Sequence, residues 1–316
     1  MTSVDIVCPT FNGAKFLPEL LDSVRRQTHP EFRLWIRDDG SSDETVEMIE
    51  AAVATDHRLV RVAGGERLGV AGSFARLVAQ LPPDSAYIMC ADQDDVWFDD
   101  KIERTLAAML AAESAARPAH PILVHSDLVV VDSELKVLDP SYWAYARLEP
   151  EPVSLRRLVV RNVVTGATMM INRRLRELIG AMPADAIHHD WWFACVAAAF
   201  GTIVALPEAT MFYRQHGSNS VGARDRRIGV RRLPHVVVAG LTSGSAFKRE
   251  IRQSSAQGRA FLERYGAALA PNDRDFLAAY SLIPDQRFLP RKQAVARLRA
   301  LPEFGVWRNL GAVLRG

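Results

Sequence analysis

Ala86–Ala91 (Ala-Tyr-Ile-Met-Cys-Ala) carries no charge and runs straight into Asp92-Gln93-Asp94-Asp95. A short apolar run bounded by a polar loop reads as a strand buried on both faces. Strands of that kind lie in parallel sheets, whose neighbours need a crossover helix between them. The preceding chain supplies both. Val4–Cys8, Arg33–Arg37 and Leu59–Val62 read as strands. Lys15–Gln27 places apolar residues at 16, 17, 20, 21 and 24, which is helical spacing. Helices are also expected over about 43–54, entered through a Ser41/Glu44 capping box, and over Val70–Leu81, with Pro82-Pro83 beyond its end. The rhythm is β-α-β-α-β-α-β, that of an α/β doubly wound sheet.

After a helix over about 100–112 the pattern loosens. Ile122–His125, Leu128–Val131, Val163–Ile171, 202–206 and Phe212–His216 are expected as strands. Helices are expected after Pro152, over Arg173–Ile179 and after Asp190. Beyond residue 221 only helical segments are expected, near 246–264, 272–281 and 290–315.

In open α/β sheets ligands bind at the carboxyl ends of the strands. Three polar segments fall there: 9–13, 38–42 and 92–95. Asp92, Asp94 and Asp95 repel one another at neutral pH, and a divalent cation relieves that. Asp92 and Asp94 both point to one ligand if the loop turns; otherwise this is a solvated acidic loop. Asp39 suits a ribose or base, and serves equally as part of a turn into the next helix. Arg67 is a phosphate or base contact, or simply solvated. In His188-His189-Asp190-Trp191-Trp192, Asp190 is either a helix N-cap or a carboxylate held near a sugar hydroxyl, where a general base belongs. The two adjacent histidines argue against zinc, because neighbouring side chains diverge and no cysteine lies near. His216 offers a metal or phosphate contact, or a structural histidine.

Taken together, these motifs resemble the family 2 glycosyltransferases of the GT-A fold. The matching pieces are Cys8-Pro9-Thr10-Phe11-Asn12-Gly13, Gln27-Thr28, Asp38 to Asp43, Arg67-Leu68-Gly69, Asp92 to Trp97, Asp190 and His216. They occur in family order over about residues 1–220. The combination of Asp92 to Trp97, His188 to Trp192 and Tyr213 to Asn219 is most similar to a bacterial rhamnosyltransferase-like subgroup. The resemblance implies a GT-A catalytic domain over 1–220, with a nucleotide-sugar half to about 97 and an acceptor half from about 98. It implies nucleotide contacts from Pro9, Thr10, Phe11, Asn12, Asp39, Arg67 and Asp92, with Asp39 on a pyrimidine ring. Many relatives carry Asn where this chain has Arg67. Asp94, Asp92 and His216 are implied as ligands of Mg²⁺ or Mn²⁺, and Asp190 as the catalytic base. Asp95, Trp97, His189, Trp191 and Trp192 are implied around the sugar and acceptor. A single base and no enzyme nucleophile mean direct displacement with inversion. The implied donor is a nucleotide diphosphate sugar, and the subgroup likeness implies dTDP-rhamnose. The implied acceptor is a growing cell-surface polysaccharide or lipid-linked glycan.

Charge divides the 316 residues unevenly. Residues 1–220 carry 21 Lys+Arg against 30 Asp+Glu, a balance of −9, and residues 221–316 carry 18 against 7, a balance of +11. An acidic body with a basic helical extension suits an anionic partner for the extension. Arg291, Lys292, Arg297 and Arg299 alternate there with Val295, Leu298 and Leu301, and Trp307 follows. That pattern fits peripheral contact with an anionic membrane, or a helical cap packed on the catalytic domain. The small net charge of +2 gives no reason to expect nucleic acid. Asp5 within the first apolar stretch speaks against a signal peptide. Three separated cysteines in apolar runs suit a reducing compartment, and the expected location is cytoplasmic. Two competing functions are weaker. A sugar-nucleotide nucleotidyltransferase wants a Gly-rich basic phosphate loop, and 9–15 holds one Gly and one Lys. A non-catalytic binding module leaves the carboxylates at 92, 94 and 190 unexplained.

Overall fold

Leu17, Leu20, Leu21 and Val24 lie on one face of the first helix, α1 (Leu17–Arg25), and are buried there, as their spacing predicts. The computed structural model describes residues 2–151, 153–216, 249 and 251–285. The chain forms two compact units. The first comprises Met1–Glu151, Val163–Met182 and His188–Asp225. The second comprises Pro152–Asn162, Pro183–Ile187 and Arg226–Gly316.

The first unit is built on one nine-stranded sheet. Its N-terminal half contains β1 (Val4–Thr10), β2 (Phe32–Asp38), β3 (Leu59–Val62) and β4 (Tyr87–Cys90), in the order β3-β2-β1-β4, all parallel. The crossovers are α1, α2 (Thr45–Thr55) and α3 (Gly69–Gln80). The four residues of β4 are all buried, as the uncharged run requires.

The second half of the sheet is mixed. The strand β5 (Val96–Trp97) leads into α4 (Lys101–Ala115), β6 (Ile122–Val131), β7 (Val137–Asp139) and the short α5 (Tyr142–Ala146). Then come β8 (Met170–Asn172), α7 (Arg173–Ile179), α8 (His189–Phe200) and β9 (Thr202–Arg214). The short strand β8 joins the halves, antiparallel to both β4 and β6; β9 runs parallel to β6, and β5 pairs antiparallel with β9.

Five local expectations are corrected. Ile122–His125 and Leu128–Val131 are one strand, and 202–206 continues to Arg214 as one strand. The pairing slips where Ser126 faces Leu206 and Asp127 faces Ala209. Pro207 lies in that slip and has no N–H to donate, so the ladder bulges instead of ending. Val163–Ile171 is a strand only from Met170, because Gly166–Thr168 forms a 3₁₀ turn. Ser41 and Glu44 make no capping box: Ser41 bonds Asp38, and Asp43 accepts from the Thr45 N–H at the start of α2. Asp190 is not the N-cap of α8, a position held by His188; it lies in the first turn.

In the second unit, α6 (Leu155–Val160), α9 (251–265) and α10 (Pro271–Ser281) are helices. Arg156 Nε donates to Asp273 at 2.8 Å, and Ser254 meets the Tyr280 hydroxyl at 2.7 Å. The expected helix over 290–315 and its basic residues lie outside the described residues. No helix among the described residues is long and apolar enough to cross a membrane.

Candidate active site

Register brings three strand ends to one rim. Thr10 closes β1 opposite Asp38 of β2, and Ala91 N–H donates to Val7 O just past β4. The loops that follow these strands are tied together by their own side chains. Thr10 Oγ1 donates to Asp38 Oδ1 at 3.0 Å, and Asp38 Oδ2 accepts from the N–H groups of Gly40 and Ser41. Asn12, left-handed at φ 47°, accepts from Ser42 N–H at 2.8 Å. Pro9 is half-buried within β1.

Asp39 is buried and saturated with donors. Its carboxylate accepts from Arg37 Nη1 (2.6 Å), Ser73 Oγ (2.7 Å), Leu68 N–H (2.8 Å) and Gly69 N–H (2.8 Å). Burial pushes its pKa up, but the hydrogen bonds from Leu68, Ser73, Arg37 and Gly69 outweigh that and hold it below the ordinary value. Arg37 also donates to Glu66 O. The buried pair thus clamps the loop carrying Arg67, whose guanidinium lies 4.2 Å from the centre of the Phe11 ring.

Gln93 joins this pocket to the acidic loop. Its amide accepts from Phe11 N–H at 2.9 Å and donates to Phe11 O at 3.0 Å. A Cβ on Gly13 would stand 2.3 Å from Gln93 Oε1, so a larger residue there would displace the Gln93 amide from Phe11.

Within the acidic loop, Asp94 Oδ2 and His216 Nε2 are 2.7 Å apart. Arg214, buried at the end of β9, holds that loop: its Nε donates to Asp94 O, its Nη1 to Ser133 O and its Nη2 to Glu19 of α1. Asp92 is half-buried, and its pKa is pushed up to about 7 by burial and then by the charges of Asp94 and Asp190. That mutual influence brings Asp190 and the acidic loop into one electrostatic site. Asp190 is half-buried at the start of α8. Burial raises its pKa, while His188 and hydrogen bonds from the Trp191 and Gly166 N–H groups oppose the rise.

The residues expected around the sugar and acceptor divide differently. Asp95 is fully buried and accepts from Arg214 N–H at 3.3 Å. Trp97 is 1% exposed, in the core against Lys101, whose Nζ bonds Thr210 Oγ1 at 3.0 Å. Burial lowers the Lys101 pKa to about 7, against the pull of Asp95 and Cys90. Trp191 and Trp192 are buried within α8. His189 is buried with its ring stacked on Phe74 at 3.6 Å, and burial lowers its pKa to about 3. The structure thus gathers Phe11, Asn12, Arg67, Asp92, Asp94, Asp190 and His216 at accessible or half-buried positions, and packs Asp95, Trp97 and Trp192 inside. Sequence reasoning missed the roles of Gln93, Arg37, Ser73 and Arg214. Gln93 and Arg214 lie inside quoted motifs and were available as a signal; Arg37 and Ser73 are visible only through packing.

Among the described residues no group of three or more His, Cys, Asp or Glu forms a cation cage. The Asp94–His216 pair, with Asp92 close enough to feel Asp94, still fits a divalent cation. Mg²⁺ is commonly held by one or two carboxylates with ligand phosphates completing its shell, and carboxylate oxygens suit Mn²⁺ as well.

A parallel nucleotide-type half, joined through one antiparallel strand to a mixed half with the site on its carboxyl rim, is the GT-A fold. Residues 5–120 match the model described as Glycosyl transferase family 2. An uncharacterised glycosyltransferase of Nostoc sp. is 23% identical over 69% of this chain; the chain spans 66%, just under two thirds, of that relative. A dTDP-rhamnosyl transferase of Shigella flexneri is 24% identical, over 68% of this chain and 73% of its own. The fold is similar to that of a Pyrobaculum calidifontis mannosyltransferase in complex with GDP-Man and Mn²⁺, with TM-score 0.55 and 17% identity over 98% of this chain and 84% of the other.

Proposed function

We propose that this chain is an inverting glycosyltransferase. It moves a sugar from a nucleotide diphosphate donor to a hydroxyl of a growing cell-surface polysaccharide or lipid-linked glycan. The observation that carries this is one rim holding an Asp94–His216 pair, a carboxyl at Asp92 and a separate carboxyl at Asp190. The nucleotide is taken by the 9–12 segment with Arg67 and Phe11. Asp39, its oxygens already occupied by protein donors, acts mainly by holding the Arg67 loop. Asp92, Asp94 and His216 are the residues that would hold Mg²⁺ or Mn²⁺. When bound, such an ion neutralises the diphosphate leaving group. Asp190 takes the proton of the acceptor hydroxyl as that oxygen attacks the anomeric carbon. The half-buried carboxyl favours this role, because its raised pKa makes it a stronger base than an exposed aspartate. His189, Trp191 and Trp192 are buried in α8 and support Asp190 from within, and Asp95 and Trp97 belong to the core.

The donor we favour is dTDP-rhamnose, supported by the motif likeness and by the Shigella relative's name. Thermal shift across nucleotide sugars with Mn²⁺ checks it; larger stabilisation by UDP- or GDP-sugars overturns the rhamnose assignment. The activity is tested by donor hydrolysis and transfer with Asp190→Asn. That variant is expected to bind donor normally and lose on the order of 10²-fold or more in transfer. A fully active Asn variant removes Asp190 from the chemistry.

A further inference from the structure

We propose that Gly166 is a positioning residue for the Asp190 carboxylate: its N–H holds that group, and its missing side chain is the space into which His189 and Asp190 pack. This rests on Asp190 being the base. The strand β8 runs antiparallel to β4, so the residues just before β8 stand at the same rim as Asp92. There the chain makes a 3₁₀ turn where its β-rich sequence favours a strand. The turn is closed by its own bonds: Thr168 N–H and Oγ1 both donate to Thr165 O, and Met169 N–H donates to Gly166 O. Ala167 and Thr168 are fully buried. The first N–H of such a turn has no partner within it, and the Gly166 N–H goes to Asp190.

The requirement for glycine is spatial. Gly166 is not among the residues with positive φ. A Cβ at this position would stand 2.7 Å from His189 Nε2, 3.1 Å from His189 Cε1 and 3.3 Å from Asp190 Cβ. His189 cannot yield easily, because its ring is stacked on Phe74 and meets the edge of Phe193. A methyl group therefore pushes on the first turn of α8, which carries Asp190.

The test is a double-mutant cycle on kcat, with donor KM and nucleoside diphosphate affinity read alongside. Gly166→Ala is expected to lower kcat on the order of tenfold, the worth of one hydrogen bond to a charged group, with donor KM and affinity unchanged. In a His189→Ala background, which removes the atoms the methyl would meet most closely, the same change is expected to cost far less. Wild-type kcat in Gly166→Ala, or an equal loss in both backgrounds, overturns the proposal. If Gly166→Ala does not fold, the double variant must fold; failure of both overturns it too. Asp190→Asn separates the two ideas. If it stays active, the assignment of the base fails. If it is inactive while Gly166→Ala is unaffected, only the positioning role fails.

Discussion

Asp92 shows how one carboxyl couples stability to ligand binding. Burial, then Asp94 and Asp190, push its pKa from 3.8 up to about 7. A raised carboxyl pKa penalises the charged folded form. The stabilising contribution is thus complete below pH 3.8 and lost as pH climbs to about 7. Metal-free wild type should lose melting temperature over that climb relative to Asp92→Asn. Mn²⁺, which needs the charged carboxylate, should stabilise the wild type increasingly as pH passes 7. A wild-type-minus-variant difference that does not change with pH contradicts this assignment. Asp94→Ala is expected to abolish the metal dependence of nucleoside diphosphate binding, measured calorimetrically with and without Mn²⁺. Among these side chains the sequence announces type and neighbourhood only. Asp39 and Asp94 both sit in acidic turns, yet one is enclosed by four donors and the other faces a histidine from 122 residues away.

The loops gather because β1 and β2 end level at Thr10 and Asp38 while β4, parallel to them, ends beside Val7 on the same side, and a few glycines let backbones touch. Gly64, just past β3, is the sharpest case. A Cβ there would lie 2.2 Å from Asp38 O, a backbone atom that cannot rotate away, beside the Gly65 N–H bond to the same oxygen. Gly64→Ala is expected to cost about 1–3 kcal/mol, as overpacking does, read as a lower urea midpoint, and to weaken nucleotide binding through the Arg67 loop. The parallel strands and their helices were legible because burial on both faces and 3.6-residue spacing leave plain marks. The long strands β6 and β9 were read in pieces. Their bulge at Pro207 looks in sequence like an ending, and only the partner strand shows the ladder resuming.

The acidic first unit and the basic C-terminal segment differ in charge by enough to predict different partners. Residues 221–316 carry a balance of +11, and each basic residue near an anionic leaflet contributes roughly 1 kcal/mol. We propose peripheral membrane contact for this segment. Anionic liposomes should co-sediment the full chain at low salt and release a version ending near Pro284; equal or absent binding of both removes the proposal. Short-range rules sufficed for the βα rhythm, the polar strand ends and the family likeness, because periodicity and motif order are properties of neighbours along the chain. Tertiary structure alone decided that Trp97 and Trp192 face inward, that Gln93 grips Phe11, that Arg214 anchors the acidic loop, and that Gly166 abuts Asp190. Those outcomes depend on which distant groups share a small volume, and close packing settles that only once the sheet has brought the strand ends together.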